Sequence, residues 1–287
     1  MKNLFRLKDG DIVLRLTLGL LIVCFPYRII VGQNKDEATD QAKSIKVASA
    51  YPLRPAKNLD IANKLTDLAK TDHITLLKWS MKNYKQHVHD YQGIFYRRER
   101  VNGKLRYKEE IAIKFKEEPF SLLMNWKENP DKIDKLLYVE NRRNNSKMIV
   151  HPTGLFSWIK SIERDPRCKE ALRSSRSTCD EFGFYRTMAK ILKVYEQADK
   201  QEDLQIRYLG ETRIDDRPCI AIERRLPPRK QYLAARVVLE FDKEYILPTS
   251  ITSYDWQGKL LSQYVYKNLC FNSDLKSAQF TRAANNL

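Results

Sequence analysis

The stretch from Asp90 to Lys127 constrains the fold most, because its central part alternates between two kinds of side chain with a period of two residues. One face is mostly charged. The other is mostly apolar and consists of Leu105, Tyr107, Glu109, Ile111, Ile113 and Phe115. A period of two is typical of a β-strand that buries one face. The pattern therefore predicts one long half-buried strand over residues 105–116.

The segments on either side extend this strand into an antiparallel unit of three. Tyr91 to Val101 has the composition of a partner strand, and Asn102-Gly103 between them favours a two-residue turn with positive φ at both positions. After Pro119 the apolar face resumes with Phe120, Leu122, Met124 and Trp126. Strands of about ten residues are long for an ordinary sheet. They favour a curved sheet around a hydrophobic interior.

Three amphipathic helices accompany the strands. Apolar side chains recur at helical spacing from Leu59 to Ala69 after a possible cap at Asn58, and again from Ile74 to Val88 after Asp72. A third such run opens at Asp180 and ends near Tyr195. Apolar stripes of this kind bury against another element, and the nearest large surface is the sheet.

The remaining strands are predicted from short alternating segments separated by turn residues. A hairpin is expected from Lys135–Asn141 and Ser146–His151, and a meander from 203–212, 217–226, 232–242, 247–256 and 259–269. The segment between them, Thr153 to Cys179, is irregular, and its Phe156 and Trp158 indicate a buried turn. The predicted class is α+β: a long-stranded, strongly curved antiparallel sheet with amphipathic helices on its concave side.

The N-terminus has the pattern of an export signal. Basic residues precede an uncharged run of twelve residues, Leu16 to Tyr27, which is shorter than the roughly 20 residues of a membrane-spanning helix but fits a signal core. We therefore expect an export signal over residues 1–33, or an uncleaved inner-membrane anchor as the alternative. A polar linker (34–57), one domain (58–280) and a tail (281–287) would follow.

The formal net charge of +16, from 52 basic and 36 acidic residues, favours anionic partners. The simpler explanation is that the basic residues form the solvated outer faces of long strands. Export to the periplasm or cell envelope argues against nucleic acid and leaves an anionic membrane surface as a possible partner. We expect a monomer.

Four cysteines would remain after export, and in an oxidising compartment they allow three pairings. Cys168 and Cys179 are close in sequence and form the predicted disulfide. Cys219 and Cys270 lie in strands, where buried free thiols are equally expected. No C-x-x-C spacing indicates a metal or redox site, and no cofactor is expected.

Several short segments, in the same order along the chain, resemble a bacterial envelope family of unknown function, numbered 1571 among uncharacterised domains. They span roughly Leu59 to Phe280 and comprise Tyr91, 95–101, 103–105, 114–121, 137–140, 217–219, 235–238, 247–248, 253–256, 264–266 and 268–269. That family is similar to the lipoprotein carriers LolA and LolB. The resemblance implies a half-barrel with helices on its concave side, but it implies no particular ligand.

The inward positions are the candidate ligand contacts, although core packing produces the same alternation. The candidates for a cavity wall are Ile111, Ile113, Phe115, Leu122, Met124, Trp126, Ile220, Ile222, Val237 and Leu239. Arg98 and Arg100 share a strand face and are candidates for binding an anionic group, with a cross-strand ion-pair ladder as the alternative.

Catalysis finds little support in the sequence. The four histidines are His73, His87, His89 and His151, and no nucleophile or phosphate-binding motif accompanies them. The leading hypothesis is a non-enzymatic, exported carrier or chaperone that binds a lipid, a lipoprotein acyl chain or another amphiphile. The alternatives are an interaction module with a filled core and a basic surface, and a hydrolase that uses His151 or the acidic residues.

Overall fold

The computed structural model describes residues 59–140 and 146–287. In this part of the chain one sheet of 12 strands forms, and all its neighbouring strands are antiparallel. The strands are β1 (Asp90–Val101), β2 (Lys104–Leu105), β3 (Glu109–Lys116), β4 (Ser121–Glu128), β5 (Ile133–Val139), β6 (Met148–Pro152), β7 (Ile162–Arg164), β8 (Gln205–Ile214), β9 (Arg217–Arg225), β10 (Arg236–Asp242), β11 (Leu247–Tyr254) and β12 (Leu260–Phe271).

The order across the sheet places the first long strand in the middle. It reads β7-β6-β5-β4-β3-β1-β12-β11-β10-β9-β8, with β2 paired to the end of β1. Each half is a meander, because consecutive strands pair with each other on both sides of the β1–β12 junction. The sheet is open, since β7 and β8 lie at opposite edges.

The helices of the described residues are α1 (Leu59–Thr71), α2 (His73–His87), α3 (Lys169–Ser174), α4 (Phe184–Lys200) and α5 (Arg282–Asn285). Helices α1, α2 and α4 bury their apolar stripes in the main core, against one face of the sheet that we call the inner face. Phe184 of α4 shows this packing: its ring centroid lies 4.5 Å from that of Tyr266 and 5.2 Å from that of Tyr91. No helix in residues 59–140 or 146–287 has the length and hydropathy needed to cross a bilayer.

Gly183 fixes where α4 begins. Its φ is +110°, and a Cβ at this position would lie 2.9 Å from Cζ of Phe115 on β3. Only glycine therefore allows the chain to pass this close to the sheet. The helix begins at Phe184, later than the predicted Asp180, which lies instead in a 3-10 turn (Cys179–Glu181).

The outer face of β4, β5 and β6 is covered by the C-terminal segment, which we define as residues 272–287. Leu123, Leu137 and Ile149 project from this face and are buried together with Leu275 and Phe280. Leu287 packs against the same cluster. These strands are therefore apolar on both faces, and strict alternation does not describe them.

The predicted α+β class and the open antiparallel sheet with helices on its inner face are confirmed. Asn102 and Gly103 have φ values of +50° and +77°, as the hairpin prediction requires. The long strand over residues 105–116 is interrupted, however, because residues 106–108 leave the sheet. Tyr107 is 83% exposed as a result. Although it is spaced by an even number of residues from Ile111, Ile113 and Phe115, it does not share their buried face.

Candidate functional site

A cavity of about 440 Å³ lies between the inner face of the sheet, the segment 162–182 and α4. Its volume falls within the roughly 300–1,000 Å³ of small-molecule sites. The first half of the sheet supplies most of the wall, and Ile251, Val237 and Tyr266 close it from the second half.

One wall of the cavity is a continuous apolar row that crosses four strands. Met124 of β4 faces Leu136 of β5, Leu136 faces Val150 of β6, and Val150 faces Ile162 of β7. All four line the cavity. The row arises because directly opposite residues in antiparallel strands project to the same face. Phe182 and Ile191 cover it from the other side.

A second wall is polar and follows a row across β3, β1 and β12. Arg97 lies opposite Glu109 on one side and opposite Tyr264 on the other. The guanidinium of Arg97 donates to both carboxylate oxygens of Glu109, at 2.5 Å from Nε and 3.1 Å from Nη2. The indole Nε1 of Trp126 also donates to Glu109, at 3.1 Å. The cavity therefore has an apolar part and a hydrogen-bonded polar part.

Glu99 extends the polar wall by two residues along β1. It is 3% exposed and accepts hydrogen bonds from the hydroxyl of Tyr264 and, at 3.2 Å, from the backbone N–H of Arg176. Burial and the negative charge of Glu99 raise the pKa of Tyr264, so this hydroxyl remains a donor. Burial acts to lower the pKa of Arg97, but the hydrogen bonds and charge of Glu109 outweigh it and raise that pKa.

Two cysteines lie on the side of the cavity opposite the sheet. Cys168 and Cys179 line it, and the four cysteines of the described residues are free thiols. The predicted Cys168–Cys179 disulfide is thus not formed in this structure, where Cys179 Sγ lies 3.9 Å from Met148 Sδ. Burial raises the pKa of Cys179, so this thiol is protonated at neutral pH.

The segment from Gly154 to Leu172 leads to the mouth of the cavity and exposes four large apolar side chains, which we call the apolar rim. They are Leu155 (91% exposed), Phe156 (60%), Trp158 (79%) and Leu172 (53%). The expectation of a buried turn at Phe156 and Trp158 is therefore wrong. Ile162, Cys168 and Ala171, which lie between these residues in the chain, contact the cavity or the core.

The ten predicted wall residues all lie in the main core, but only Met124, Trp126 and Val237 line the cavity. The other seven pack against helices and neighbouring strands; they are Ile111, Ile113, Phe115, Leu122, Ile220, Ile222 and Leu239. The alternation identified the inner face correctly. It carries no information on where helices fill the space above that face.

Arg98 and Arg100 project away from the cavity. Arg98 Nε donates to the carbonyl of Arg106 at 3.3 Å, and Arg100 Nε donates to that of Leu260 at 2.9 Å. The inward residues are Arg97 and Glu99, which are in phase with the apolar Tyr91 and Phe95. That phase is the signal in the sequence that distinguishes the two pairs.

His151 has a carboxylate neighbour but does not line the cavity. Its Nδ1 lies 2.6 Å from Oδ1 of Asp134, and its Nε2 lies 3.2 Å from the carbonyl oxygen of Ser157. Both ring nitrogens face acceptors. Within residues 59–140 and 146–287, no group of three or more His, Cys, Asp or Glu side chains has an arrangement that would hold a metal ion.

Comparison with known proteins gives a family but no described activity. Residues 88–287 match the family model described as a protein of unknown function (DUF1571). The chain belongs to the DUF1571 family. The resemblance found in the sequence is thereby confirmed, although the match begins at residue 88 rather than near Leu59. No curated protein matches this DUF1571 chain.

Several solved structures resemble the DUF1571 chain. A putative outer membrane lipoprotein-sorting protein domain from Vibrio parahaemolyticus has 12% identity and a TM-score of 0.37, with 74% of this chain and 97% of that one covered. The Mycobacterium tuberculosis lipoprotein LppX has 8% identity and a TM-score of 0.41, with 72% and 99% covered. The Pseudomonas aeruginosa MucA/MucB complex has 15% identity and a TM-score of 0.37, with 74% and 61% covered.

Proposed function

We propose that the chain binds an amphiphile, with the apolar tail of that molecule in the cavity, and serves as a non-enzymatic carrier or chaperone. The observation that carries this proposal is the arrangement of the cavity of about 440 Å³: an apolar row that spans four strands next to a polar row that spans three. A lipid or the acyl chain of a lipoprotein has this division between tail and polar end.

The apolar row is sufficient to account for the affinity of the cavity for an apolar tail. Each methylene group that moves from water into an apolar environment contributes about 0.8 kcal/mol. Ten such groups would contribute roughly 8 kcal/mol before the costs of association. A tail therefore needs no specific polar contact to bind, and the apolar wall selects tails in general rather than one lipid.

A hydrolytic role has weaker support. His151 is the candidate base, but its Nδ1 faces Asp134 and its Nε2 faces the carbonyl of Ser157. Neither nitrogen of this ring is directed at a potential nucleophile in the cavity. The geometry thus favours binding over catalysis at this position.

A membrane surface is a second candidate partner, and the apolar rim favours it. Contiguous exposed apolar groups mark interaction sites, and three of the four side chains of the rim lie within residues 155–158. Six basic residues accompany three acidic ones between residues 154 and 176; the basic ones are Lys160, Arg164, Arg167, Lys169, Arg173 and Arg176. Aromatic and aliphatic groups next to lysine and arginine are the composition that binds anionic lipid surfaces.

The proposed location is the cell envelope, reached by export or by an N-terminal anchor. Residues 1–33, on which this depends, lie outside the described residues. Mass spectrometry of the full-length chain expressed in a bacterial host distinguishes the two routes, because cleavage would remove about 33 residues whereas an anchor would remain. A cytoplasmic chain of full mass would contradict both.

Native mass spectrometry of the purified protein, followed by organic extraction, tests the proposed function. We expect an amphiphile at close to one per chain. Val237→Phe should reduce its occupancy, because Val237 lines the cavity and the larger ring would fill part of it. Val238→Phe is the matched control, since Val238 does not line the cavity and lies on the opposite face of β10.

Three results would show whether the chain binds an amphiphile and whether the cavity is its site. Loss of the amphiphile in Val237→Phe with retention in Val238→Phe would support the cavity as its site. Equal occupancy in both variants would place the ligand elsewhere. A folded wild-type chain that, once delipidated, takes up no amphiphile would contradict the carrier function.

A further inference from the structure

The buried polar wall of the cavity contains more negative than positive charge. Its ionisable side chains are Arg97, Glu99 and Glu109, which amount to two carboxylates and one guanidinium. The side chain of Arg97 is 15% exposed and that of Glu109 is 9% exposed, and Glu99 as a residue is 3% exposed. Charges at this depth are screened by solvent far less than surface charges.

Three of the five N–H groups of the Arg97 guanidinium already donate to groups of the protein. Nε and Nη2 donate to Glu109, and Nη1 donates to Oγ of Ser175 at 3.2 Å. An anionic head group could take the two parallel hydrogen bonds of the Nε–Nη2 edge only by displacing Glu109. The displaced carboxylate would then remain buried without its partner, which is costly.

Glu99 retains capacity to accept hydrogen bonds. One of its oxygens accepts from Tyr264 and the other from the N–H of Arg176. A carboxylate has about four acceptor positions, so a donor that enters from the cavity can be accommodated at each oxygen. Its closest opposite charge in this wall is Arg97, which is paired with Glu109.

The other ionisable side chains that line the cavity do not change the excess of negative charge in its polar wall. Three are acidic and three are basic: Asp131, Glu170, Glu181, Lys132, Arg164 and Lys190. Asp131 is paired with Arg106, and Glu181 with Lys190. Five of the six belong to exposed residues and Glu181 to a half-buried one, so solvent screens their field.

We propose that the polar end of the bound amphiphile is an uncharged or cationic group that donates hydrogen bonds to Glu99, and that anionic head groups are disfavoured. This inference rests on the proposed function, because it assigns the head-group class of the same ligand. It also reverses the sequence-based expectation that arginine side chains of β1 bind an anion.

Three amphiphiles with the same tail test the inference: dodecanol, dodecylamine and dodecanoate. Their affinities for the delipidated protein can be measured at neutral pH by displacement of an uncharged fluorescent apolar probe. We expect dodecylamine and dodecanol to bind at least about tenfold more tightly than dodecanoate, which corresponds to about 1.4 kcal/mol. Because the tails are identical, the comparison reports the head group alone.

Glu99→Gln should bring the three affinities to within about threefold of one another, since it removes the charge and retains the shape of the side chain. Glu110→Gln is the matched control: Glu110 carries the same charge on β3 but does not line the cavity. It should leave the wild-type preference unchanged.

The outcomes separate the two proposals. Equal or tighter binding of dodecanoate by the wild-type protein would overturn the head-group inference and leave the carrier function intact. Binding of none of the three would contradict the carrier function and the inference with it. The wild-type series decides between these results even where Glu99→Gln does not fold.

Discussion

Arg97 and Glu109 form an ion pair that is almost withdrawn from water, with side chains 15% and 9% exposed. Removing one partner of a buried pair leaves an uncompensated charge, which typically costs about 3–5 kcal/mol. We therefore expect Glu109→Gln to lower the free energy of unfolding by about 3 kcal/mol. Urea denaturation followed by circular dichroism measures this change.

The control for this prediction is the pair of Arg106 with Asp131, whose side chains are 29% and 42% exposed. Exposed pairs contribute about 0–1 kcal/mol, so Asp131→Asn should have a small effect. Similar losses in both variants would show that the buried position of Glu109 has no special energetic role.

His73 makes the stability of the protein depend on pH. The residue is 1% exposed, its Nε2 lies 2.8 Å from the carbonyl oxygen of Ala69, and its Nδ1 is buried without a hydrogen-bond partner among the described residues. Burial lowers the pKa of His73 below the usual 6.5. The folded state therefore binds fewer protons than the unfolded state as the pH falls below this value.

Stability should fall as the pH decreases below about 6.5, by up to about 1.4 kcal/mol per pH unit from this residue until the folded-state pKa is reached. His73→Gln removes the titrating group and should make the same interval flatter. Denaturation midpoints at pH 8, 6 and 5 give the two profiles. Parallel profiles would rule out His73 as the source of the dependence.

The exposed side chains of the apolar rim lie within residues 154–172, and we expect them to contact a membrane together. The double variant Leu155→Ser, Trp158→Ser should weaken co-sedimentation with anionic phospholipid vesicles by at least about tenfold, since each apolar group that inserts contributes on the order of 1–3 kcal/mol. The remaining binding should decline further as salt is added.

Leu233→Ser provides the comparison, since Leu233 is 80% exposed but belongs to the connection between β9 and β10 rather than to residues 154–172. It should leave vesicle binding unchanged. If Leu233→Ser and the double variant lose binding equally, the rim has no specific role at the membrane. If neither loses binding, the basic outer strands account for it.

Local patterns predicted the elements well and their tertiary surroundings poorly. The Asn102-Gly103 turn depends on the conformations open to two residues, so the sequence is sufficient. The outer face of β4 to β6 is apolar because Phe280, more than a hundred residues later in the chain, covers it. The continuous apolar runs of these strands indicate that both faces are covered, but they do not show which segment covers the outer one.

The position of the cavity could not be predicted from the local pattern either. Ile113 and Met124 are directly paired inner-face residues, yet only Met124 lines the cavity. The alternation of a strand does not show which inner-face positions the helices cover. Arg97 and Glu99, by contrast, were accessible from the sequence, since their phase follows the apolar Phe95 on the same strand.

The whole molecule should respond to its ligand through its folding equilibrium. A ligand that binds only the folded state adds about 2.7 kcal/mol at a concentration of 100 times its dissociation constant. Thermal unfolding of the delipidated chain should therefore shift upward as dodecanol is added, whereas Val237→Phe should shift much less. Equal shifts in the two proteins would indicate binding outside the cavity.

The position of β1 also determines when the domain can be completed on the ribosome. One edge of β1 pairs with β3 soon after synthesis, but the other edge waits for β12, so that Tyr91 meets Phe271 only when nearly the whole chain has emerged. Until then the centre of the future sheet is an unpaired edge, open to association with other chains. The two meanders are local in sequence, and we expect their union along β1 and β12 to be the slow step, because contacts between distant residues are slow to form.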